Sequence, residues 1–274
     1  MKKIFSFLFM LCVAATAMAQ VVYSNADLTV TWMAKGTWII ETTDKTTMYL
    51  LEGTTGALLI DTGCKPTNLD HVILDLTSKP VTVVLTHGHI DHAGNIQCFS
   101  DVWMNRADTA VWHNPRFTGN YHWLSDGQQF NLGGGRVVTT YDFPGHTPGS
   151  VAFFDPSIHA AFTGDSFGSG YIWLQLKPHV PMMTFYKSCV RMEQLMDKFG
   201  ITDIFCGHYP YAKQIFHKDY ITQMKALSYQ IAKGKKVKTE PYTPTPSDAR
   251  MNGSRPVLAK SGSIGIVFDA AHVN

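Results

Sequence analysis

Apolar residues along this chain mostly come in short runs separated by Gly, Thr, Asp and Pro, a rhythm that predicts strands before helices. Residues 28–32, 37–41, 48–52 and 57–60 are such runs, rich in Val, Thr, Trp and Ile. The fourth ends in Asp61-Thr62-Gly63, a turn at the C-terminal end of a strand. Leu69, Val72, Ile73 and Leu76 fall at helical spacing and predict a helix over residues 66–78. Residues 81–85 form a further apolar β run that delivers the chain to His87. Strand signals follow around Val102 and over residues 137–141, 151–154 and 160–163. Beyond them the pattern predicts helices over 184–199 and 217–233, a short strand over 203–206 between them, and a last strand over 263–269. Pro241, Pro244, Pro246 and the Gly and Ser around Gly253 predict a loop before that strand. Strands followed by helices in two successive halves predict an α/β fold, two sheets face to face with helices outside. With no repeat or linker, residues 20–274 read as a single domain.

Residues 1–19 read differently. Lys2 and Lys3 precede an apolar run over residues 4–15, and Ala17-Met18-Ala19 has the small-x-small form of a signal-peptidase site. This segment is expected to be a signal peptide cleaved before Gln20, which makes the protein periplasmic or secreted. Cys12 offers a lipid-attachment alternative, but Leu11 is bulky where such a site wants a small residue. The run is too short for a comfortable span, so stable membrane insertion is not expected. The chain has 23 Lys and Arg against 21 Asp and Glu, and removing Lys2 and Lys3 leaves 23 − 2 = 21 against 21. No basic field remains to attract nucleic acid. Cys64, Cys98, Cys189 and Cys206 are widely spaced, follow no disulfide framework, and are expected to be buried thiols.

His87-Gly88-His89-Ile90-Asp91-His92 puts four potential ligands into six residues just after a buried strand. Imidazole and carboxylate suit borderline divalent metals such as Zn²⁺. All four cannot easily reach one ion, so the spacing suits two, one taking His87 and His89, the other Asp91 and His92. Gly88 is expected to let the backbone turn tightly between them. Further candidates sit at loop positions: His146 in Gly145-His146-Thr147-Pro148-Gly149, Asp165 after the run at 160–163, and His208 in Gly207-His208. A lone His beside a Gly is ordinarily a turn or core residue, and it is the rare His-x-His-x-Asp-His string that raises these to ligands. Asp61 is read as a turn-capping residue, with a contact to a ligand as the alternative.

The segment from Thr86 to Asn95, T-H-G-H-I-D-H-A-G-N, resembles the signature of the metallo-β-lactamase superfamily. Gly145-His146-Thr147-Pro148-Gly149, Gly164-Asp165 and Gly207-His208 resemble its later motifs in the right order, and Leu59-Ile60-Asp61-Thr62-Gly63 its early strand and turn. The likeness covers residues 37–209. It implies a four-layer αββα sandwich with a binuclear site at one edge. It also implies metal 1 on His87, His89 and His146, metal 2 on Asp91, His92 and His208, and Asp165 bridging them. Such a pair of ions, zinc first and iron or manganese as alternatives, holds a hydroxide that attacks a carbonyl. Asp91 is expected to orient that nucleophile, and no G-x-S-x-G elbow argues for a serine.

The β-lactamases of the superfamily place Cys or Ser where this chain has Asp165, which instead resembles the glyoxalase II, lactonase and phosphodiesterase branches. Glyoxalase II carries an additional helical glutathione-binding region after its last His, whereas about 65 residues follow His208 here. A small-molecule ester, thioester or lactone is therefore the expected substrate. β-Lactam hydrolysis and an inactive metal-binding module are the alternatives. Trp112, Trp123, Tyr171, Trp173 and Met182 are candidates for an apolar substrate pocket, with packing as the plainer reading. Tyr209 could hydrogen-bond a substrate carbonyl. His113, His122, Lys235, Lys236 and Arg255 are read as surface residues.

Overall fold

A computed structural model of the chain describes residues 19–34, 36–64, 68–111, 114–242 and 255–273. The signal-peptide expectation, apart from its last residue, and those on Pro66, Trp112, His113, Pro244, Pro246 and Gly253 lie outside the described residues.

Eight strands in chain order build the first sheet: β1 (Gln20–Ser24), β2 (Leu28–Ala34), β3 (Thr37–Thr42), β4 (Thr47–Glu52), β5 (Ala57–Ile60), β6 (Val81–Val84), β7 (Asp101–Met104) and β8 (Asn120–Trp123). Neighbours are antiparallel as far as β5 and parallel from β5 to β8. The crossover from β5 to β6 carries α1 (Leu69–Leu76), and one helical turn, α2 (Ile90–Ala93), follows β6. The second sheet contains β9 (Gln129–Gly133), β10 (Arg136–Asp142), β11 (Val151–Asp155) and β12 (Ala160–Gly164). The chain then forms β13 (Tyr171–Trp173) and α3 (Met182–Phe199), and returns as β14 (Asp203–Cys206), which pairs in parallel with β12. Next come α4 (Tyr209–Ala212), α5 (Lys218–Ala232), β15 (Thr239–Pro241), β16 (Pro256–Ser261) and β17 (Ile264–Asp269).

The period-2 alternation of strand side chains sorts these apolar runs into layers. On the first sheet Leu50 and Leu59 face one way, packing with Leu69, Val72 and Ile73 of α1. Tyr49, Leu51, Leu58 and Ile60 face the other way, onto Val151, Phe153, Ala160 and Phe162 of the second sheet. On the far side of that sheet Ala152 and Phe154 join Phe185, Cys189 and Met192 of α3 and Ile221 and Met224 of α5. The order is helix, sheet, sheet, helix, the expected four-layer αββα sandwich. Each fully buried Phe or Leu between the sheets contributes roughly 1.5–3 kcal/mol relative to exposure.

The C-terminal part departs from expectation. A third sheet, in the order β13-β17-β16-β15, includes segments read as loop as well as the predicted last strand. Pro241 closes the exposed edge strand β15 and Pro256 opens β16, positions where a missing N–H costs little of the ladder. Strands β8, β9 and β13 were likewise not predicted: they are short, and partly exposed residues interrupt their apolar pattern. Helix α3 runs from Met182 to Phe199 and stops at Gly200, whose φ of 66° suits glycine.

No disulfide occurs among the described residues. Cys189 and Cys206 are buried as expected, whereas Cys64 and Cys98 are only half-buried, Cys64 donating to Asp44 Oδ2 at 2.9 Å. Among the described residues no helix is long and apolar enough to cross a membrane.

Helices α3 and α5 are also joined by polar contacts: Glu193 accepts hydrogen bonds from Lys225 and from Thr222. Desolvation pushes the Glu193 carboxyl up, but these hydrogen bonds outweigh it and hold it below its usual 4.5. A depressed folded value gives stability that is present above the unfolded pKa and is lost as pH falls through the folded one. Glu193→Gln is expected to cost about 1 kcal/mol at pH 7 and progressively less below pH 4.5. Thermal melts of both proteins at pH 7 and at acid pH check this, and a gap that does not close on acidification would refute it.

Candidate metal centre

Every predicted site residue follows a strand end on one edge of the sandwich. Asp61 follows β5, His87 lies three residues beyond β6, Asp165 follows β12, and His208 lies two residues beyond β14. His146 sits in the turn from β10 to β11. Because β5 and β6 run parallel, as do β12 and β14, their C-terminal ends share an edge. The Val151 amide donates to the Thr86 carbonyl at 2.8 Å, and the Tyr49 hydroxyl to the Cys206 carbonyl at 2.6 Å, tying the two sheets together there.

All seven side chains converge, in overlapping groups whose potential ligand atoms lie within 4.8 Å of one another. One group is His87, His89 and His146, another Asp91, His92 and His208, and a third His87, His92 and Asp165. Asp165 stands between the first two: its carboxylate oxygens lie 3.6 Å from His146 Nε2, 3.5 Å from His92 Nε2 and 3.2 Å from His208 Nε2. Exposure rises across the site. His87, His89, His92 and His146 are all at most 5% exposed, whereas the Asp91 side chain is 26% exposed, so solvent reaches the cluster from its Asp91 side.

Hydrogen bonds on the outer nitrogens fix the histidine tautomers. Nδ1 of His146 donates to the Trp173 carbonyl at 2.9 Å and Nδ1 of His208 to the Lys45 carbonyl at 2.8 Å. Nδ1 of His92 donates to Asp61 Oδ2 at 2.9 Å. The Thr86 hydroxyl donates to the same Asp61 oxygen at 2.8 Å, so at 3.0 Å it is the acceptor for His87 Nδ1–H. Each of these four rings therefore turns Nε2 inward. Nε2 of His87 and of His92 are buried with no hydrogen-bond partner, an arrangement that is costly unless a ligand such as a metal ion engages them. His89 differs, presenting Nδ1 to His146 Nε2 at 2.9 Å. Nitrogen and carboxylate donors in three interlocked groups fit divalent ions of the zinc class.

Electrostatics divide the site. Burial, reinforced by the neighbouring imidazoles, holds His87 well below its usual value, and burial also lowers His146, so these rings are neutral. Burial opposes charge on His208 too, but the Asp165 and Asp91 carboxylates outweigh it and raise His208 well above its usual value. Asp165 in turn is held well below the carboxylate range: burial pushes it up, and His208 and His92 push it down by more.

Two carboxylates carry more of the architecture than their sequence positions suggested. Asp61 has a φ of 65°, a left-handed backbone that Asp tolerates. Its carboxylate accepts from the Thr86 amide at 2.7 Å, 25 residues on rather than within its own turn, and also reaches His92, which is the ligand contact considered for it. Asp108 was not singled out at all. Fully buried, it accepts from the amides of Gly88 at 2.8 Å and Gly149 at 2.6 Å and from the Thr147 hydroxyl at 2.7 Å, bracketing the loops of His87–His89 and of His146. No signal in the sequence distinguishes it, because its partners are backbone groups of segments about 20 and 40 residues away. The Gly88 reading changes accordingly. Its backbone is not left-handed, and what it admits is the Asp108 carbonyl, which a Cβ would meet at 2.9 Å. Gly207 is needed in the same sense: its Cβ would lie 2.5 Å from both Asp165 Oδ1 and His92 Cε1.

The described pocket candidates lie on different elements. Met182 is core, Trp123 lies at the outer strand of the first sheet, and Tyr171 packs beside Lys260. Trp173 is adjacent to the cluster through its carbonyl, with its indole against Tyr242. Tyr211, not predicted, is exposed and lies 5.7 Å from the His208 ring. The Tyr209 amide donates to Thr47 Oγ1. His122 stacks on Trp103 and pairs with Asp101 at the surface, while Lys235, Lys236 and Arg255 are exposed, as expected.

Comparison with known proteins agrees with this architecture. The family model described as metallo-beta-lactamase superfamily matches residues 42–208. The chain is 24% identical over 212 residues to acyl-coenzyme A thioesterase MBLAC2 of Homo sapiens, covering 62% of this chain and 75% of that one. Hydroxyacylglutathione hydrolase of Xylella fastidiosa (strain M23) is 33% identical over 107 residues, 37% of this chain and 40% of that one. The crystal structure of the metallo-β-lactamase FIM-1 from Pseudomonas aeruginosa, in its mono-zinc form, superposes with a TM-score of 0.60 at 16% identity, covering 76% of this chain and 97% of that one. Signature, layers and converging side chains thus agree with the family match: the chain belongs to the metallo-beta-lactamase superfamily and is a metal-dependent hydrolase.

Proposed function

We propose that the protein hydrolyses small-molecule thioesters, with esters and lactones as the neighbouring class, at a centre of two divalent ions. His87, His89 and His146 would hold one ion, Asp91, His92 and His208 the other, and Asp165 would contact both. Zinc is the first expectation, with iron and manganese served by the same donors. The observation that carries this reading is the position of the Asp165 carboxylate between the two groups, within 3.2–3.6 Å of histidines from each. The similarity to an acyl-coenzyme A thioesterase and a hydroxyacylglutathione hydrolase supports an acyl thioester.

Bound there, the ions would supply a hydroxide at neutral pH and an electrophile for the developing oxyanion. The chain's own residues do the rest. Asp91, on the open side, orients the attacking water toward the carbonyl carbon. The outer hydrogen bonds to Thr86, Asp61, Trp173 and Lys45 hold the imidazoles of His87, His92, His146 and His208 with Nε2 aimed inward. Water adds to the acyl carbon, the carbon–sulfur bond breaks, and the products are a carboxylate and a thiol.

A panel of acyl thioesters, S-acyl glutathiones, acyl-homoserine lactones and a chromogenic cephalosporin tests the assignment. Thioester turnover with kcat/KM above about 10⁴ M⁻¹s⁻¹ is expected. Cephalosporin turnover without thioesterase activity would move the protein to β-lactam hydrolysis. Silence on every substrate with metal bound would leave a binding module. Asp61→Asn is expected to weaken metal affinity about 10–100-fold through loss of the His92 anchor, read by chelator competition. Unchanged affinity would show that His92 is held without it.

The leader-like segment supports a periplasmic or secreted location and a mature single domain over 20–274. N-terminal sequencing of exported protein tests it, Gln20 being the expected first residue.

A further inference from the structure

A second group of potential metal ligands lies outside the site described above. His179, Asp269 and His272 each offer one donor atom, and these atoms lie within 4.8 Å of one another. Asp269 ends β17 and its side chain is only 8% exposed, whereas the His272 side chain is 61% exposed. His272 Nδ1 lies 2.9 Å from Asp269 Oδ2, and the His179 and His272 rings are stacked, 5.2 Å apart and 8° from parallel.

An exposed His beside an Asp is common and by itself says little. What sets this group apart is His179. Both its ring nitrogens are buried, and neither meets hydrogen-bond geometry with any partner among the described residues, although the Leu174 carbonyl is near. A buried ring nitrogen whose lone pair meets no donor is costly, and a metal ion is one of the few ligands that engages that lone pair.

Backbone hydrogen bonds tie the two segments of the group together. The Leu174 amide donates to the Val267 carbonyl at 2.8 Å, and the Met182 amide to the Val273 carbonyl at 2.8 Å. The loop carrying His179 is therefore pinned at both ends to the segment carrying Asp269 and His272. The Ala271 amide and the His272 ring both bond to Asp269, orienting its carboxylate.

We propose that His179, Asp269 and His272 form a second, structural metal site, taking one zinc-class divalent ion with water completing its coordination. Two imidazoles and one carboxylate are a donor set for Zn²⁺, Co²⁺, Ni²⁺ or Cu²⁺, in which Asp disfavours a soft Cu⁺ ion. The ion would clasp the last residues of the described chain to the loop that begins just after Trp173, whose carbonyl orients His146. No residue of the clasp belongs to the hydrolytic cluster.

Zinc content tests the site by difference. The full-length protein, its His272→Ala and His179→Ala/His272→Ala variants, and a His87→Ala/Asp165→Ala variant would each be loaded with zinc, gel-filtered and analysed for metal. The clasp variants are expected to hold one ion per chain fewer than the parent, whatever the hydrolytic site holds. The His87→Ala/Asp165→Ala variant should still retain one ion, and zinc should raise its Tm. His272 is exposed, so His272→Ala alone keeps the comparison valid if the double variant fails to fold. Equal zinc in the parent and in folded His272→Ala would overturn the proposal. So would loss of all zinc from the His87→Ala/Asp165→Ala variant on gel filtration. Failure of the hydrolytic reading would instead appear in the substrate panel and leave this difference of one ion unchanged.

Discussion

Asp165→Ala is expected to abolish hydrolysis and strip the hydrolytic centre of the two ions proposed for it. The Asp165 carboxylate lies within 3.2–3.6 Å of histidines of both ligand sets. Removing it leaves His92 and His208 without the charge that raises them most and leaves neither set bridged to the other. Loss of several kcal/mol of transition-state stabilisation corresponds to about a thousandfold or more in kcat/KM. His87→Ala should match it, because His87 belongs to both the all-histidine group and the group containing Asp165. Asp91→Ala provides the contrast: Asp165 and the all-histidine group both survive, so one ion of the hydrolytic centre should remain while turnover falls. Metal analysis beside initial rates on a thioester checks all three. Full activity in metal-stripped protein or in the Asp165 or His87 variant would sink the mechanism.

The second large effect concerns stability, at the edge of the sandwich where β3, β4, β10 and β11 meet. Arg136, 7% exposed, donates from Nε to Asp155 at 2.7 Å within the second sheet. Its other nitrogens reach the Gly36 and Glu52 carbonyls and the Thr37 hydroxyl on the first sheet, so one guanidinium links both layers. Arg136→Ala would leave Asp155, which has no exposed surface, buried without a counter-charge. The expected cost is about 3–5 kcal/mol, or on the order of 10 °C in Tm. The double variant Arg136→Met/Asp155→Leu should be much closer to the parent, since much of the cost is the stranded carboxylate. Paired thermal melts decide this, and a single variant within about 1 kcal/mol of the parent would show that water or rearrangement supplies Asp155. Such a destabilised variant should keep its metal, because the pair lies away from the cluster.

The seven residues of the metal cluster were legible because the chemistry is local in sequence where it matters most. His87, His89, Asp91 and His92 share one strand end and one helical turn, so their spacing alone predicted their convergence. His146, Asp165 and His208 were legible through likeness to motifs, each beside a glycine whose need the fold then explains, as at Gly207. The sandwich was legible because strand alternation and helix spacing are periodic patterns. The long helices, α3 and α5, were predicted to within two residues at each end.

Other features had no local signature. Asp108 resembles any turn carboxylate until Gly88, Thr147 and Gly149 fold around it. The carbonyls of Lys45 and Trp173, which set two histidine tautomers, are backbone groups and carry no residue identity to read. The third sheet was hidden because β13 and β15 have three residues each, too few for periodicity to show, and because prolines mark its strand ends. His179, an ordinary histidine in sequence, becomes a ligand candidate only where the C-terminal turn lies against its loop.

The sequence by itself determined the family, the layered α/β fold and the candidate ligand residues of the metal centre, because ligand type and strand and helix periods are properties of neighbouring residues. Tertiary structure alone decided how those donors are held: which nitrogen faces inward, which carboxylate stands between the groups, and which backbone groups lock the loops. Hydrogen bonds that set orientation act over about 3 Å in space and are indifferent to distance along the chain.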